Sequence, residues 1–341
     1  MKKPQVFDRY RQAIDAELRS ILDGYDLPLY NMLRYHLGWV DEKGQAMQAS
    51  TGKGLRPTLC LMACEANGAN YEKALPAAAA IELLHNFSLI EDDIQDGDRE
   101  RRHRPTVWSI WGKAQAINAA TAMHVLANLA VYRLGRYGVP IQKQERAGTI
   151  LHVSCLRMIE GQYLDLSFEK RSMISLEEYL DMISLKTARL IACALELGAL
   201  LGTDDESCIQ AFRDYGVNLG LAFQIRDDML GIWGDENQTG KPAAGDIRRK
   251  KKSFPIVFAY NHSNGKAREE LFSIYRRTEV NQADVDRVLK ILEETGVQEQ
   301  AQQAAGVYRD RALANIEAMG LSPAADLGLR ELTCFLVDRD S

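Results

Sequence analysis

The chain has 341 residues, of which 46% are apolar and 26% charged, and its formal net charge is −5. This composition is typical of a soluble globular protein and excludes a disordered or fibrous class, while the net acidity argues against general nucleic-acid binding. The six cysteines form no CxxC pair and have no His at metal-binding spacing, which predicts free thiols in a reducing cytosol. The first residues carry two lysines without an apolar core behind them, and no apolar run approaches the length of a membrane span. We therefore expect a cytoplasmic protein without stable membrane insertion.

Helical signals run through the whole chain, whereas strand signals are almost absent. The nine prolines fall between apolar-periodic segments or near their first turns, where a helix tolerates proline. No linker, repeat or low-complexity stretch divides the sequence, so we expect one all-α domain over residues 1–341, built as a large helical bundle. Helices are predicted at residues 5–22, 29–38, 56–67, 73–96, 106–136, 141–168, 176–201 (broken near 185), 205–233, 255–262, 266–275, 282–296, 297–319 and 323–337.

Two groups of acidic residues stand near the C-terminal ends of apolar helices. The first, in IELLHNFSLIEDDIQD, places Asp92 and Asp96 on one helix face, with Asp93 about 100° around the helix. The second, in FQIRDDML, contains Asp227 and Asp228. Because a helix C-terminus already carries partial negative charge, carboxylates placed there favour a cationic partner.

A solvated acidic helix end is the simplest interpretation of either group alone. However, apolar residues before the first group predict that its helix is buried, and the pattern occurs twice. Carboxylate oxygens without His or thiolate ligands select Mg²⁺, which takes one or two carboxylates and completes its shell with water and substrate phosphates. Two such helices facing each other would form an Mg²⁺-bridged seat for a diphosphate.

Basic residues accompany the acidic groups at four places in the sequence. In GKGLRP, glycines let backbone amides approach an anion just before a helix. The five cations from Arg248 to Lys252 have a solvated face or a nucleic-acid patch as alternative interpretations, but no interleaved aromatic residues support nucleic acid. Together the charges fit a small, highly charged ligand with an apolar tail. The basic residues are Lys53, Arg56, Arg101, Arg102, Lys186, Arg189, Lys241 and the run 248–252.

The ordered set of motifs resembles the trans-isoprenyl diphosphate synthases, the farnesyl/geranylgeranyl diphosphate synthase family. The motifs are GKGLRP (52–57), LLHNFSLIEDDIQD (83–96), RRHRPT (101–106), GQYLDL (161–166), KTARL (186–190), FQIRDDML (223–230) and GKPAAGDIRRKKKSFP (240–255). The resemblance implies the isoprenoid synthase fold, with antiparallel helices around a deep central cavity, and a homodimer. It also implies a prenyltransferase that condenses isopentenyl diphosphate with an allylic diphosphate.

The same resemblance implies roles for individual residues. Three Mg²⁺ ions per active site would be bound by Asp92, Asp96 and Asp227, supported by Asp93 and Asp228. The allylic diphosphate would be held by Arg101, Lys186, Lys241 and Lys251, and isopentenyl diphosphate by Lys53, Arg56, His85 and Arg102. The catalytic residues would be Lys186, Thr187, Gln224 and Lys241, with Thr187 and Gln224 near the developing allylic cation. Ionisation of an allylic diphosphate is an electrostatic task, so it requires no Ser-His or Cys-His pair.

Three sites depart from the family's pattern, one of them Ala120-Thr121, where the family has Gly-Asp after the turn of the paired arginines. Gly231 stands where the second motif usually has its third aspartate, and His103 stands where a glycine usually follows the paired arginines. Because Asp227, the leading aspartate of the second motif, is kept, we expect metal binding to survive.

Product length is expected to depend on residues just before Asp92. Phe87 is large and Ser88 is small, and the first motif carries no insertion. By resemblance, this pattern predicts a geranylgeranyl or a farnesyl diphosphate synthase. The alternative is that Phe87 is an ordinary core residue.

Two other functions remain open at the level of the sequence. A class I terpene cyclase would use the same Mg²⁺–diphosphate site, but it does not need the isopentenyl diphosphate pocket that Lys53, Arg56 and the paired arginines imply. A non-catalytic partner subunit typically loses aspartates from one motif, whereas this chain keeps all but the position of Gly231.

Overall fold

The computed structural model describes residues 4–47, 52, 54–234 and 244–338. Within these ranges the chain is helical almost throughout, which confirms the all-α prediction. No helix in these ranges is both long enough and apolar enough to cross a membrane. The helices are α1 (Val6–Leu22), α2 (Pro28–His36), α3 (Leu55–Ala66), α4 (Leu75–Asp96), α5 (Val107–Tyr132), α6 (Ile141–Glu169), α7 (Leu176–Ile183), α8 (Arg189–Gly202), α9 (Glu206–Trp233), α10 (Gly245–Arg248), α11 (Phe254–His262), α12 (Gly265–Arg276), α13 (Gln282–Glu294), α14 (Val297–Ala318) and α15 (Pro323–Val337).

Three local features differ from the prediction. The sequence indicated where one of them lies but not its structure, and it did not predict the other two. The expected break near residue 185 is a π-helical turn, Ser184–Ala188, between α7 and α8. A two-stranded antiparallel hairpin, β1 (Glu100–Arg101) and β2 (Arg104–Pro105), follows the first acidic group. The short helix α10 was not predicted, because four residues are too few to show an apolar period.

The chain divides into two compact units, and each unit combines separate stretches of sequence. The amino-terminal unit contains Pro4–Cys155 and Cys193–Gln210. The carboxy-terminal unit contains Leu156–Ala192 and Ala211–Ser341. The first acidic group therefore belongs to the amino-terminal unit, and the second belongs to the carboxy-terminal unit.

Helix α4 is the central helix of the amino-terminal unit. The residues from Ala77 to Ile81 are fully buried, and so are Leu83 and Leu84. Alanine side chains let neighbouring helices approach closely, and α4 packs against both α3 and α5. Helix α8 closes on α3 at Gly198, where a Cβ atom would lie 2.8 Å from the Cβ atom of Ala63. This packing fixes the position of the acidic end of α4.

The core of the carboxy-terminal unit is formed by aliphatic side chains from α10 to α14, and it includes Ile232 at the end of α9. Helix α9 is also anchored by polar contacts. The hydroxyl groups of Tyr215 and Thr333 are 2.9 Å apart, and the side chain of Asn218 donates to that of Asn315 at 3.0 Å. The second acidic group therefore stands on a helix that is fixed along its length.

The six cysteines are free thiols, and four of them are buried. Burial raises the pKa of Cys64 and the pKa of Cys155 to about 11. These thiols are therefore protonated at neutral pH and act as small apolar side chains.

Candidate active site

The first acidic group lies in the last turn of α4. The helix ends because Gly97 adopts a left-handed conformation (φ 70°), and the amide of Asp98 donates to the carbonyl of Asp93 at 3.0 Å. Asp92 is half-buried and Asp96 is exposed, whereas Asp93 is buried. The i,i+4 pair thus presents two carboxylates on an accessible helix face, and Asp93 points into the protein.

Asp93 is linked to the hairpin through Arg101. The guanidinium Nε of Arg101 donates to Oδ1 of Asp93 at 2.7 Å. The second carboxylate oxygen, Oδ2, is buried and accepts no hydrogen bond from the described part of the chain. Burial raises the pKa of Asp93 to about 6, and the charge of Arg101 opposes this rise. Asp93 therefore positions Arg101 beside the acidic helix end.

The paired arginines lie in a hairpin whose turn needs positive φ angles. Arg102 and His103 form its two-residue turn, with φ values of 53° and 59°. A turn with two positive φ angles strongly favours glycine, so the family's usual glycine at the position of His103 has a conformational reason. The turn sends Arg101 toward Asp93 and Arg102 toward Gly52, where a Cβ atom would lie 2.7 Å from a guanidinium nitrogen of Arg102.

Neighbouring segments hold the hairpin in place. The guanidinium of Arg104 donates to the carbonyls of Tyr35 and Val40, both at 3.1 Å. The carbonyl of Asp98 accepts from the Thr106 hydroxyl at 2.8 Å and from the Trp108 indole at 2.7 Å. The orientation of the paired arginines is therefore fixed by α2 and by the start of α5.

A cluster of titratable groups lies beside the hairpin, and it includes three of the residues assigned to isopentenyl diphosphate: Arg56 and His85, which are half-buried, and Arg102, which is exposed. Burial lowers the pKa of Arg56 to about 10, while Glu82 opposes this effect. Burial, followed by the charges of Arg56 and Arg102, lowers the pKa of His85 well below its usual value. These groups, called the cationic pocket below, are close enough to interact electrostatically, with His85 as a neutral imidazole.

Three further residues lie in or beside this pocket and were not predicted from the sequence: Glu82, Asn86 and His36. Burial raises the pKa of Glu82, which accepts a hydrogen bond from the Asn86 amide at 3.2 Å. Burial and three nearby arginines lower the pKa of His36 to about 3. Glu82 did carry a signal, because it is the one acidic or basic residue, apart from His85, in the apolar stretch 75–90, and it stands three residues before His85. His36 comes from α2 and had no such signal.

Phe87 and Ser88, assigned to product length, have different environments. Phe87 is 5% exposed, and its ring stacks on the imidazole of His124 in α5. The hydroxyl of Ser88 donates to the carbonyl of His85 at 2.8 Å, so this small side chain is turned back onto its own helix.

In the second acidic group, the carboxylate of Asp228 accepts several hydrogen bonds. It is 1% exposed and accepts four hydrogen bonds at 2.7 to 3.0 Å. The donors are the Tyr179 hydroxyl, the Lys251 ammonium, the Gln224 amide and the backbone amide of Phe254. The contacts of Asp228 favour a positioning role, whereas Asp227 is half-buried on the adjacent face.

The π-helical turn brings Lys186 and Thr187 into this unit's site. A Cβ atom on Gly161 would lie 2.7 Å from the Cα of Lys186, and one on Gly220 would lie 2.5 Å from the Cα of Ala188. Two glycines therefore admit the wide turn between α6 and α9. Its side chains are then fixed by hydrogen bonds, because Lys186 donates to Asp165 at 2.6 Å and the Thr187 hydroxyl donates to Gln224 at 2.7 Å.

Lys251 lies among three carboxylates. Burial acts to lower the pKa of its ammonium, but Asp228, Asp246 and Asp227 together raise this pKa well above its usual value. Asp246, which was missed as a site residue, lies 3.6 Å from the Lys251 ammonium. Lys53 and Lys241, which were predicted to bind diphosphates, lie outside the described residues.

The aspartates suit Mg²⁺ by their chemistry. Asp92, Asp96 and Asp227 offer oxygen donors at accessible helix positions. Next to the first pair, the buried Oδ2 of Asp93 is a further carboxylate oxygen that accepts no hydrogen bond from the described part of the chain. No group of three or more His, Cys, Asp or Glu side chains in the described ranges forms a preformed metal cage. Mg²⁺ needs only one or two carboxylates per ion when phosphate completes its shell, so the residues fit an ion that binds together with a diphosphate.

An all-α chain with two aspartate-rich helix ends, each accompanied by fixed cations, has the features of an isoprenyl diphosphate synthase. Comparisons with known proteins agree. The family model for polyprenyl synthetase matches residues 38–292. The chain belongs to this family and is a prenyltransferase.

Individual relatives cover nearly the whole chain. A (2E,6E)-farnesyl diphosphate synthase from Mycobacterium tuberculosis is 35% identical over 97% of this chain and 91% of the relative. A geranylgeranyl diphosphate synthase from the same organism is 36% identical over 96% of this chain and 93% of the relative. The crystal structure of a polyprenyl synthetase from Streptomyces coelicolor A3(2) has a TM-score of 0.90 and 36% identity, covering 97% of this chain and 98% of that one.

Proposed function

We propose that this enzyme condenses isopentenyl diphosphate with an allylic diphosphate and releases geranylgeranyl diphosphate or farnesyl diphosphate. The observation that carries the proposal is the cationic pocket of the amino-terminal unit. Arg56, Arg102 and His85 lie there with Glu82, next to the acidic end of α4 but separate from its carboxylates. Such a pocket provides for a second diphosphate that needs no metal.

The pocket residues would bind isopentenyl diphosphate as follows. Arg56 and Arg102 carry guanidinium groups that can each donate two parallel hydrogen bonds to phosphate. Glu82 lowers the net positive charge of the pocket and attracts both arginines electrostatically. His85, held neutral, donates a hydrogen bond without adding charge. Lys53 is also assigned to isopentenyl diphosphate by the family resemblance.

The allylic diphosphate would be held by Arg101, Lys186, Lys241 and Lys251. Asp92, Asp96 and Asp227 would bind Mg²⁺, three ions in all, and when bound the metal would supply positive charge for the departing diphosphate. Asp93 orients Arg101, and Asp165 orients Lys186, so both cations are fixed before the reaction begins. The Thr187–Gln224 pair would direct oxygen dipoles toward the developing allylic cation.

Both product lengths have support. The relatives include proteins named farnesyl and geranylgeranyl diphosphate synthases, at nearly equal identity. The large, buried Phe87 supports a chain of 15 or 20 carbons (three or four isoprene units), because a bulky side chain one turn before Asp92 limits the space for a growing chain.

The decisive experiment uses the purified full chain with Mg²⁺, isopentenyl diphosphate and, in turn, dimethylallyl, geranyl or farnesyl diphosphate. Chromatography of the dephosphorylated products is expected to show geranylgeraniol or farnesol. A cyclic hydrocarbon formed without consumption of isopentenyl diphosphate would establish a class I terpene cyclase instead. No turnover with any primer would support the partner-subunit alternative.

A variant pair tests the pocket itself. Arg56→Gln is expected to raise the KM for isopentenyl diphosphate on the order of tenfold or more while the KM for the allylic substrate changes little. The matched control is Arg171→Gln, at a partly exposed arginine paired with Glu178. Equal effects of Arg56→Gln on both substrates would contradict the assignment.

We also propose a homodimer, because α5 exposes a row of large apolar side chains. Ile117, Val125, Leu129 and Tyr132 are 48% to 68% exposed and fall on one face of the helix. Light scattering after gel filtration should give twice the 38.3 kDa chain mass. Leu129→Lys should shift the protein toward monomer, and a wild-type monomer would refute the proposal.

A further inference from the structure

The last three residues of the basic run 248–252 are lysines whose side chains have separate surroundings. The ammonium of Lys250 donates to a backbone carbonyl just after α12 at 2.7 Å, and that of Lys251 donates to Asp228 at 2.9 Å. Lys252, in contrast, is buried, with only 4% of its surface exposed. The run is therefore not a uniform solvated face, and its last lysine lies inside the carboxy-terminal unit.

Lys252 faces the aromatic ring of Tyr275 in α12. Its ammonium lies 5.2 Å from the centroid of the ring and donates to the carbonyl of Lys250 at 3.3 Å. Burial, followed by the charge of Lys250, lowers the pKa of Lys252 to about 8, whereas Glu169 and Asp165 oppose this effect. The ammonium is therefore mostly charged at neutral pH, and a desolvated cation is attracted by the face of an aromatic ring.

Tyr275 provides its ring, and not its hydroxyl, for this contact. The residue is 4% exposed, and its buried hydroxyl has no hydrogen-bond partner in the part of the chain that the structure describes. A buried tyrosine usually has such a partner, so the hydroxyl does not explain why a tyrosine stands here. The ring face toward Lys252 does.

The contact between Lys252 and Tyr275 lies directly behind the second acidic group. Lys251 precedes Lys252, and Phe254 follows two residues later. Both donate to Asp228 at 2.9 Å, Lys251 from its ammonium and Phe254 from its backbone amide. Because these residues are adjacent in the chain, a displacement of Lys252 would also move Lys251 relative to Asp228.

We propose that Lys252 and Tyr275 are positioning residues, whose contact fixes the backbone around Lys251 so that its ammonium is held ready for the allylic diphosphate. The proposal deepens the proposed function and rests on it, since Lys251 is assigned to that diphosphate there. The competing explanation is that Lys252 binds phosphate itself. Its burial against the ring argues against this, because a ligand would have to displace the side chain from Tyr275.

The test measures how far Lys252 acts through Lys251. Lys252→Met removes the ammonium and keeps an unbranched side chain that adapts to a buried position. Lys251→Met and the double variant complete a double-mutant cycle. Tyr275→Leu removes the ring, and Tyr275→Phe keeps it. Arg268→Met is the matched control, because its guanidinium lies 4.7 Å from the centroid of another ring, that of Tyr260.

The readout is calorimetric titration of inorganic diphosphate into the full chain, with and without Mg²⁺. The difference isolates the metal-dependent binding, and melting temperatures report stability. Lys252→Met and Tyr275→Leu are each expected to weaken this binding on the order of fivefold or more, as the loss of a desolvated cation–ring contact does. Tyr275→Phe should restore most of the affinity lost in Tyr275→Leu, and Arg268→Met should bind like the wild type.

In the Lys251→Met background, Lys252→Met should change the affinity by less than about twofold, because a residue that acts through another loses its effect with it. Unchanged affinity in a folded Lys252→Met, or an equal loss with and without Lys251, would overturn the proposal. If Lys252→Met does not fold, the two Tyr275 variants decide. A loss in Tyr275→Leu that Tyr275→Phe fails to restore would then overturn it.

Product formation is measured separately. In Lys252→Met, the KM for the allylic substrate should rise on the order of fivefold while the KM for isopentenyl diphosphate changes little, and equal rises would contradict a role through Lys251. If the wild type binds diphosphate with Mg²⁺ but makes no prenyl product, the proposed function fails, whereas the calorimetric cycle still tests the positioning role.

Discussion

The ring of Phe87 stacks on the imidazole of His124, with their centroids 5.0 Å apart and their planes inclined by 26°. His124 in turn places its Nε2 3.6 Å from the Cys155 thiol and 3.4 Å from the Asn128 amide. Phe87, which is expected to limit product length, therefore packs on His124 of α5, and His124 in turn contacts side chains of α5 and α6. A rigid support of this kind makes the size of residue 87 decisive.

Phe87→Ala is expected to lengthen the major product by at least one isoprene unit of five carbons. The substitution removes the ring and leaves space against His124, and it should lower the free energy of unfolding by about 3–5 kcal/mol. Chromatography of dephosphorylated products measures the chain length, and denaturant titration measures the stability.

Phe212→Ala is the matched control for that variant. Phe212 is equally aromatic and fully buried, but it belongs to the carboxy-terminal unit. It should lose similar stability and keep the wild-type product. An active Phe87→Ala enzyme with unchanged product length would show that Phe87 is only a core residue.

Asp92→Asn and Asp93→Asn are expected to fail in different ways. Asp92 lies on the accessible face of α4, so its substitution should lower kcat/KM on the order of a hundredfold or more while circular dichroism and stability stay unchanged. Asp93 is buried against Arg101, so Asp93→Asn should cost about 1–3 kcal/mol of stability. Near-normal turnover in Asp92→Asn would remove it from the metal site.

His103→Gly is expected to stabilise the protein by about 0.5–1 kcal/mol. His103 has a φ of 59°, which strains any residue with a Cβ atom, and relief of this strain should exceed the added entropy of glycine in the unfolded chain. His103→Ala keeps the Cβ atom and controls for loss of the imidazole. The glycine variant should melt above the alanine variant; equal melting temperatures would contradict the strain.

His36→Gln is expected to reduce the loss of stability in acid. The pKa of His36 is lowered to about 3 in the folded protein from its usual 6.5, first by burial and then by Arg101, Arg102 and Arg104. Between these two values the unfolded chain binds the proton more tightly, so stability is present above pH 6.5 and is lost as the pH falls. The contribution lost by pH 4 is about 3 kcal/mol.

Denaturant titrations between pH 4 and pH 7.5 measure this effect. The difference in unfolding free energy between the two ends should be smaller in His36→Gln than in the wild type by roughly that amount. The exposed His152→Gln is the control and should keep the wild-type profile. Parallel pH profiles for His36→Gln and wild type would contradict a neutral, buried His36.

The sequence was sufficient for the helices and for the two aspartate motifs. Prolines at first turns and apolar periodicity located nearly every helix, and the spacing of Asp92 and Asp96 placed them on one helix face, apart from Asp93; the structure shows that this face is accessible. These features depend on neighbours within one or two helical turns, so a local pattern records them.

Features that depend on contacts between distant segments could not be predicted in this way. Gly231 could be recognised as a departure, but the position of Asp246 beside it depends on the path of the chain after α9. Likewise, His36 enters the cationic pocket from α2, and Tyr179 reaches Asp228 from α7. A single sequence has no periodicity that links such pairs.

The π-helical turn Ser184–Ala188 makes the number of residues in this segment part of the active site. A π turn is equivalent to one extra residue in an α-helix, and each residue corresponds to about 100° of rotation. Deletion of one residue there would allow α7 and α8 to merge into a regular helix and would turn the face of α7 that carries Tyr179 away from Asp228. Gly161 and Gly220 give the space that this turn needs. In this segment, therefore, the deletion or insertion of one residue is expected to do more harm than the substitution of a side chain.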